Sequence, residues 1–352
     1  MARNSAKLPE PVIQAVISKL LDGSQLARAE ARAVMDEIMR GEATPAQIGG
    51  FLIALRAKGE TPDEITGCAE AMRDHVLAVR PRRDDLVDTA GTGGDGAHTI
   101  NISTAAALVA AAGGAAVAKH GNRAVSSACG SADVLEALGF TVELEPHRIE
   151  KSIDELGFGF LFAPSHHPAM RHAAAVRKEL ATRTVFNVLG PLTNPAGARA
   201  QVVGVYSPEL VRTIAEVLVR LGARRAYVVH GGGGIDELSP VGPNLVAEVV
   251  DGEVRERRLD PETELGIARC SIDELRGGSP AENAKAIRQV FDGKNGGRRD
   301  AILLNAAGAI AASGHAADLR EGLEVARRAI DSGAAGERLE LLIAFSRESV
   351  AA

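Results

Sequence analysis

The stretch Asp88-Thr-Ala-Gly-Thr-Gly-Gly-Asp-Gly96 joins a predicted strand to a predicted helix through a glycine-rich loop. The run Leu86–Thr89 is typical of a short buried strand. The glycines that follow it permit positive φ angles and let a ligand approach the backbone closely. Successive N–H groups in such a turn form a concave anion site. An alanine-rich helix at residues 104–112 begins just after Asn101-Ile-Ser103, and its N-terminus adds a partial positive charge at the same place.

A second strand, loop and helix follow, and together with the first they predict a phosphate site with two sides. The predicted strand at residues 115–118 ends at Lys119, a compact cation suited to phosphate oxygens. A polar loop containing Ser126, Ser127 and Ser131 then leads into a further helix. The first loop is not a Walker A motif, because no Gly-Lys-Ser/Thr closes it, and it lacks the dinucleotide fingerprint. One glycine loop is often only a tight turn, whereas two in succession favour phosphate binding.

Strands and helices continue to alternate along the chain, which predicts an α/β fold. Apolar runs at residues 158–163, 200–206 and 225–230 are typical of strands buried on both faces. Residues 1 to about 80 instead show apolar stripes at helical period. We therefore predict a small all-helical domain plus a larger α/β domain, in which helices flank a central, mostly parallel sheet.

The N-terminal helices supply only a thin core. Ile13, Val16 and Leu20 belong to an apolar stripe on the first of them. These helices either pack on the main domain or meet a second copy across a dimer axis. We predict a homodimer that buries this stripe between the two copies.

Composition and charge argue against several classes of function. The net charge is −6 and the basic residues are scattered, which argues against a nucleic-acid surface. The chain has no Trp and only 3% aromatic residues, so platforms for stacking bases are not expected. No apolar run approaches the roughly 18 residues of a membrane span, and residues 1–11 lack a signal core. Cys68, Cys129 and Cys270 do not suggest a zinc cluster or a disulfide framework. We expect a cytoplasmic protein.

Motifs spread over most of the chain point to one family. They are Gly91-Thr-Gly-Gly-Asp95, Asn101-Ile-Ser-Thr104, Lys119-His-Gly-Asn-Arg123, His167-Pro-Ala-Met-Arg171, Val176-Arg-Lys-Glu-Leu180, Asn187-Val-Leu-Gly-Pro-Leu-Thr-Asn-Pro195 and Ile235-Asp-Glu-Leu-Ser-Pro240. Together they resemble the anthranilate phosphoribosyltransferase family of tryptophan biosynthesis. The resemblance implies a helical domain of residues 1–83 and 171–193, and an α/β domain of residues 84–170 and 194–352.

The resemblance implies that the two loops bind phosphoribosyl pyrophosphate, a donor with negative charge at both ends of its sugar. The matching donor-binding positions are Gly91, Gly94, Asp95, Thr99, Asn101, Ile102, Ser103, Thr104, Lys119, Gly121, Asn122, Arg123, Ser126, Ser127 and Ser131. The loop from Gly121 to Ser127 is expected to close around the same ligand. A Ser or Thr here could instead cap a helix, and for Ser131 both roles are compatible.

A divalent metal is expected as cofactor, because pyrophosphate departs poorly unless its charge is neutralised. Mg²⁺ prefers hard oxygen ligands and usually takes only one or two carboxylates from a protein. Asp236 and Glu237, next to the glycine-rich loop 231–234, supply such a pair. The resemblance adds the hydroxyl group of Ser103. An Asp-Glu pair is otherwise commonly a solvated surface feature, but here its position and the family pattern favour Mg²⁺.

The resemblance also implies a small aromatic amino acid, anthranilate, as the acceptor. Its carboxylate suits an arginine fork, and Arg177 is the matching position. Gly91, His120 and Asn122 are the other predicted anthranilate-binding residues. His120 is either a general base or a positioning residue, and both roles stay open because a neutral aryl amine needs little activation. No covalent nucleophile is expected.

Two alternative functions remain open. A pyrimidine-nucleoside phosphorylase resembles this family in architecture and in its glycine-rich loop. The form of Gly91–Asp95, the block Lys119–Arg123 and the shorter C-terminal region argue against it. A non-catalytic relative that binds nucleotides or nucleic acid is disfavoured by the acidic balance and by the intact metal and acceptor residues. The predicted partners are small-molecule substrates, without nucleic acid or membrane.

Overall fold

The computed structural model describes residues 12–124 and 128–348 of the 352-residue chain. Its strands are β1 (Leu86–Gly91), β2 (Ala116–Gly121), β3 (Phe158–Phe162), β4 (Ala200–Gly204), β5 (Arg225–His230), β6 (Asn244–Val250) and β7 (Glu253–Leu259). Its helices are α1 (Val12–Leu21), α2 (Arg28–Met39), α3 (Pro45–Lys58), α4 (Pro62–Asp74), α5 (Ile102–Ala112), α6 (Ser131–Leu138), α7 (Pro146–Leu156), α8 (Ala163–His166), α9 (Arg171–Leu180), α10 (Phe186–Leu189), α11 (Glu209–Arg220), α12 (Pro261–Leu265), α13 (Ile272–Leu275), α14 (Pro280–Phe291), α15 (Gly297–Ser313), α16 (Leu319–Asp331) and α17 (Ala334–Arg347). Short 3₁₀ helices occupy Pro168–Met170 and Gly190–Leu192.

The chain divides into two compact units, and each is drawn from two segments. The helical unit comprises Met1–Val76 and His167–Leu189, and the α/β unit comprises Leu77–His166 and Gly190–Ala352. The domain boundaries predicted from the sequence lie a few residues further along the chain than these divisions. The predicted fold class is confirmed.

The helical unit owes its form to well-capped helices that approach one another closely. Thr44 and Thr61 accept hydrogen bonds from the third residue of α3 and α4 respectively, and each helix begins with a proline, which suits its first turn. A Cβ atom added to Gly67 of α4 would lie 2.2 Å from the carbonyl oxygen of Arg28, so only glycine allows α4 to pack this tightly on α2. The second segment contributes α9, which packs against α2 and α3.

The apolar stripe of α1 lies in the core of the helical unit. Ile13, Val16 and Leu20 are 0%, 4% and 2% exposed, because α1 packs against α2 and α3. The prediction that this stripe forms a dimer interface is therefore wrong. An amphipathic helix buries its apolar face against the nearest apolar surface, and here its own unit supplies that surface.

The described residues of the α/β unit form a seven-stranded sheet in the order β3-β2-β1-β4-β5-β6-β7. Strands β1 to β5 are parallel, and β6 and β7 are antiparallel additions at one edge. Both faces are covered. Val87 and Val117 belong to a cluster with α5 and α15, whereas their neighbours Leu86 and Ala116 pack in a second cluster with Ile149 of α7. This alternation follows from the period of two along a strand.

Within residues 12–124 and 128–348, no helix combines the length and apolar character that crossing a membrane requires. Cys68, Cys129 and Cys270 form no disulfide bond within these residues.

Candidate active site

The carboxyl ends of β1, β2, β4 and β5 lie at one edge of the sheet, because these strands are parallel. The chain moves outward from β1 to β2 and β3, and then returns to place β4 on the other side of β1. In open α/β sheets, ligands bind outside the carboxyl ends of the strands at such a reversal. The predicted donor and metal residues follow β1, β2 and β5, so the fold gathers them at this edge.

The loop after β1 has the backbone geometry that its glycines predict, with one exception. Gly93, Gly94 and Gly96 have φ angles of 67°, 77° and 74°. Gly91 does not adopt a positive φ, so that reason for its being glycine is wrong. A Cβ atom at Gly91 would instead lie 2.2 Å from Oδ2 of Asp236. Only glycine fits at position 91, because the carboxylate of Asp236 lies directly beside it.

The loop after β1 and the loop after β5 are bound to each other through carboxylates. The N–H of Gly93 donates to Oδ2 of Asp236 at 2.7 Å, and the N–H of Ser103 donates to Oε1 of Glu237 at 3.2 Å. Asp95 accepts a hydrogen bond from the N–H of Asp236 at 3.3 Å through Oδ2. Backbone N–H groups at the predicted anion site thus hold anionic oxygens of the protein itself.

The first turn of α5 contains a threonine, Thr104, that was predicted to contact the donor. The side-chain oxygen of Thr104 is buried and makes no hydrogen bond in the described part of the chain. Ile102, also predicted to contact the donor, packs its side chain in the core instead and leaves only its backbone for a ligand. Thr99 pairs through its backbone with Arg276 in an isolated antiparallel bridge.

Lys119, at the end of β2, is buried rather than open to solvent, with 2% exposure. Its ammonium group donates to the carbonyl oxygen of Thr89 and lies 3.4 Å from the hydroxyl oxygen of Ser103. Burial lowers the pKa of Lys119, whereas the carboxylates of Asp88 and Glu237 act in the opposite direction. The cation is therefore held on the backbone of β1 beside the first turn of α5.

Sequence reasoning gave no role to Asp88 and Asn194, which form a fully buried network beside Lys119. Asp88 accepts hydrogen bonds from the N–H of His120 at 3.1 Å and from Nδ2 of Asn194 at 2.8 Å. Asn194 also donates to the carbonyl oxygen of Ala118 at 2.8 Å. Burial raises the pKa of Asp88 to about 6, against the effects of Lys119 and Asn194. A charged residue inside the apolar run of β1 was the signal that could have revealed this network.

His120 is held both through its ring and through its own backbone N–H. Its Nδ1 lies 3.1 Å from the carbonyl oxygen of Gly190, which can only accept, so Nδ1 carries the hydrogen. Its own N–H is held by Asp88. This arrangement fixes the tautomer in which Nε2 is the basic nitrogen.

The loop after β2 is closed by Ser131 at the start of α6. The hydroxyl group of Ser131 accepts from the N–H of Asn122 at 3.0 Å and donates to its carbonyl oxygen at 3.1 Å. Arg123 forms ion pairs with Asp133 and Glu136, so acidic side chains already neutralise this cation. Gly121 ends β2. The predicted residues Ser126 and Ser127 lie outside the described residues.

The loop after β5 presents Asp236 and Glu237, both partly exposed, beside Asp95. Burial raises the pKa of Asp236, and the charge of Asp95 adds to the effect. Burial likewise raises the pKa of Glu237, with a further contribution from Asp236. Close packing fixes the position of this loop, since a Cβ atom at Gly204 of β4 would lie 1.4 Å from the carbonyl oxygen of Asp236.

The donor set of this loop fits Mg²⁺. Asp236 and Glu237 offer hard carboxylate oxygens, and Ser103, whose N–H is bonded to Glu237, adds a hydroxyl oxygen. Among the residues that the structure describes, no group of three or more His, Cys, Asp or Glu side chains forms a cage for a metal ion. Mg²⁺ commonly binds through one or two carboxylates and completes its shell with water and substrate phosphate.

Arg177 lies on α9 in the helical unit, whereas the loops after β1 and β2 belong to the α/β unit. Its guanidinium group lies over the ring of Phe186, 5.0 Å from the ring centre. Burial lowers its pKa. No carboxylate pairs with Arg177 in residues 12–124 and 128–348, so this partly buried cation retains its capacity to bind an anion.

Comparisons with known proteins agree with this description. The family model described as "Glycosyl transferase family, a/b domain" matches residues 83–336, and that described as "Glycosyl transferase family, helical bundle domain" matches residues 14–76. The anthranilate phosphoribosyltransferase of Anaeromyxobacter dehalogenans strain 2CP-C is 55% identical over 333 residues, which cover 95% of this chain and 98% of the relative.

Solved structures give the same result at the level of the backbone. The crystal structure of anthranilate phosphoribosyltransferase from Thermus thermophilus matches with a TM-score of 0.89 at 51% identity, covering 94% of this chain and 99% of that one. The enzyme from Saccharomyces cerevisiae in complex with PRPP and Mg matches with a TM-score of 0.86 at 29% identity, covering 96% and 98%. With its helical unit, its α/β unit and this similarity over almost its whole length, the chain belongs to the anthranilate phosphoribosyltransferase family.

Proposed function

We propose that the protein transfers the phosphoribosyl group of 5-phosphoribosyl 1-pyrophosphate to the amine of anthranilate. The products are N-(5-phosphoribosyl)anthranilate and pyrophosphate, in a step of tryptophan biosynthesis. The observation that carries this proposal is the meeting of the glycine loop with the carboxylate loop, through Gly93–Asp236 and Ser103–Glu237. One edge of the sheet then places the glycine turn and the N-terminus of α5 beside carboxyl oxygens suited to a divalent metal, and a pyrophosphate leaving group requires this combination.

The donor is proposed to bind across the loops that follow β1 and β2. The N-terminus of α5 and the glycine turn supply N–H groups for its phosphate oxygens. The buried hydroxyl group of Thr104, which has no partner in the described part of the chain, supports a ligand contact at that turn. The ammonium group of Lys119, which lies beside the hydroxyl group of Ser103, supplies positive charge at the first turn of α5. The remaining predicted donor contacts stay part of this proposal.

Asp236 and Glu237, with the hydroxyl group of Ser103, are proposed to hold Mg²⁺. The metal would neutralise charge on the departing pyrophosphate. The carboxylates suit this role because burial and mutual repulsion disfavour their charged forms, so a cation between them is stabilising. Ser103 and Glu237 are already hydrogen-bonded neighbours.

The reaction breaks the bond from C1′ to the pyrophosphate oxygen and forms a bond from C1′ to the amine nitrogen, which loses one proton. We infer an oxocarbenium-like transition state, for which the chain holds donor and acceptor in line. The hydrogen bond from Nδ1 of His120 to Gly190 leaves Nε2 as the ring nitrogen able to accept a proton. General-base catalysis by His120 stays a prediction, as do acceptor contacts from Gly91 and Asn122.

Arg177 is proposed to bind the anthranilate carboxylate, because it is a partly buried cation without a carboxylate partner in the described residues. Arg177→Ala should raise the KM for anthranilate by roughly tenfold to a hundredfold, since a hydrogen bond to a charged group contributes about 1.5–3 kcal/mol. The KM for the donor should change little. Steady-state kinetics with each substrate varied in turn measures both constants. Lys178→Ala, a substitution of the next residue on the exposed side of α9, is the matched control. Equal damage to both constants would contradict the assignment.

The proposed activity is tested by following anthranilate fluorescence. Consumption of anthranilate should require both phosphoribosyl pyrophosphate and Mg²⁺. Pyrimidine nucleosides with inorganic phosphate form the control, because a nucleoside phosphorylase would consume them instead. Turnover in the control alone would overturn the proposal. Cys68, Cys129 and Cys270 form no disulfide bond in the described part of the chain, which is consistent with our proposal that the enzyme acts in the reducing cytoplasm.

We further propose a homodimer formed through α1 and α3. Leu21 is 74% exposed and Ile53 is 41% exposed on these two helices, which pack against each other, and exposed apolar surface favours association. Light scattering at micromolar concentration should give the mass of a dimer, and the combined substitution Leu21→Lys and Ile53→Lys should give a monomer. Leu341→Lys, at an exposed apolar position of α17, should leave the dimer intact. A monomeric wild-type protein would exclude this assembly.

A further inference from the structure

The side chain of Asn283 links α14 to Asn101, the residue that precedes α5 at the end of the loop after β1. The residue is 2% exposed, and its Nδ2 donates to Oδ1 of Asn101 at 2.9 Å. Its Oδ1 accepts from the N–H of Gly278 at 2.8 Å. The remaining amide group of Asn101 donates to the carbonyl oxygen of Cys129, in the segment before α6, at 3.0 Å. The carboxamide of Asn283 and the carbonyl oxygen of Cys129 therefore together determine which way the Asn101 side chain points.

The segment just before α14 packs against the same loop along its backbone. The N–H of Ile100 donates to the carbonyl oxygen of Leu275 at 2.9 Å, and the N–H of Gly277 donates to the carbonyl oxygen of His98 at 2.8 Å. A Cβ atom at Gly277 would lie 2.7 Å from Oδ1 of Asn283 and 2.8 Å from the carbonyl oxygen of Thr99. Glycine at this position lets α14 and the donor loop approach closely enough for the Asn283–Asn101 bond to form.

Asn305 of α15 holds the loop after β5, which carries Asp236 and Glu237, through side-chain hydrogen bonds to its backbone. The residue is 1% exposed, and its Oδ1 accepts from the N–H of Leu238 at 2.9 Å. The Nδ2 of Asn305 donates to the carbonyl oxygen of Leu238 at 2.8 Å and to the carbonyl oxygen of Ala301 at 2.9 Å. Both backbone groups of the residue directly after Glu237 are thereby bound to one side chain. Only a carboxamide of this length supplies an acceptor and a donor together.

We propose that Asn283 and Asn305 are positioning residues for the two halves of the site. Asn283 sets the orientation of Asn101 toward the donor, and Asn305 sets the backbone that carries Asp236 and Glu237 toward the metal. The inference rests on the proposed function for the identity of the ligands. The C-terminal helices thus belong to the machinery of the site without contributing a residue that touches substrate.

The role of Asn283 is tested by its effect on one substrate only. Asn283→Ala should raise the KM for phosphoribosyl pyrophosphate about fivefold to tenfold, because Asn101 loses the hydrogen bond that orients it. The KM for anthranilate should stay within about twofold of the wild-type value. Asn283→Asp is the nearly isosteric second variant. It keeps the acceptor for Gly278 but removes the donor to Asn101, so it should show the same selective effect. Ser346→Ala, which removes the hydrogen bond that the Ser346 hydroxyl accepts from the N–H of Thr141, should change neither constant.

A double-mutant cycle separates positioning from a general loss of stability. Asn101→Ala combined with Asn283→Ala should raise the donor KM no further than Asn101→Ala alone, because Asn283 acts through Asn101. Additive increases would overturn the assignment for Asn283. Calorimetric binding of phosphoribosyl pyrophosphate gives the same comparison without turnover. Failure of the wild-type protein to consume anthranilate would refute the proposed function. The double-mutant cycle, measured by donor binding, would still decide whether Asn283 acts through Asn101.

Asn305 is tested by metal binding rather than by activity. The free-ion resonance of Mn²⁺, recorded with inorganic pyrophosphate present, reports the fraction of metal bound. Asn305→Ala and the smaller change Asn305→Ser should each weaken Mn²⁺ binding roughly tenfold, as loss of an outer-shell contact commonly does. Ser346→Ala should bind Mn²⁺ as the wild type does. Unchanged binding in both Asn305 variants would refute the role of this residue.

Discussion

Replacing Asp236 with Asn together with Glu237 with Gln should lower turnover at least about a hundredfold at ordinary Mg²⁺ concentrations. The amide groups keep the shape of the side chains and can still accept from the N–H groups of Gly93 and Ser103. They cannot supply the negative charge that holds a divalent cation. Initial rates of anthranilate consumption over a series of Mg²⁺ concentrations measure the effect.

The fold should survive this double substitution. Because burial raises the pKa of both carboxyl groups, their ionised forms cost stability at neutral pH, and the melting temperature should be unchanged or higher. Asp154→Asn with Glu155→Gln alters the same dipeptide at the end of α7 and should leave the rate intact. Full activity in the Asp236 and Glu237 variant would remove this pair from the metal site.

Lys119→Met should lower the free energy of unfolding by about 3–5 kcal/mol, as removing the cation that offsets a buried carboxylate commonly does. Asp88 and Glu237 would lose the cation that offsets their charge, and the carbonyl oxygen of Thr89 would lose its donor. The donor KM should rise while the anthranilate KM changes little. Urea denaturation and steady-state kinetics measure the two effects. Lys285→Met, at an exposed position of α14, is the control for loss of a lysine.

The double variant Asp88→Asn with Lys119→Met separates stability from binding. Removing the buried negative charge should recover about 1–3 kcal/mol of the lost stability, because the two residues act on each other. It should not restore the donor KM, since the positive charge beside Ser103 is still missing. A single Lys119 variant as stable as the wild type would show that the Asp88 network does not depend on this cation.

Much of the fold could be predicted because its local patterns agree with its burial. Strands β3 and β4 are buried along their whole length, so β3 appears as an uninterrupted apolar run and β4 is interrupted only by Gln201. Thr44 and Thr61 begin helices as their spacing to Gln47 and Glu64 predicts. The glycines after β1 adopt the positive φ angles that a turn of this kind needs.

The partner that each side chain finds was much harder to predict, because many contacts join residues far apart in sequence. Asp88 meets Asn194 across 106 positions, and Asn101 meets Asn283 across 182. No periodicity or turn signal records such a pair. The α1 stripe was assigned to a dimer for the same reason, since only the folded unit shows what covers Ile13. The burial of Lys119 could likewise not be predicted, because a cation after a strand has the same sequence pattern whether it is solvated or buried.

The split origin of the helical unit has a consequence for synthesis on the ribosome. Helix α4 ends at Asp74 and α9 begins at Arg171, so the chain extends by almost a hundred residues before α9 exists to pack against α2 and α3. At a translation rate of about 5–20 residues per second, α1 to α4 wait roughly 5–20 s for this partner. A nascent chain stalled before residue 171 should therefore expose apolar surface on α2 and α3, and a fragment ending at Val76 should be a poor autonomous domain.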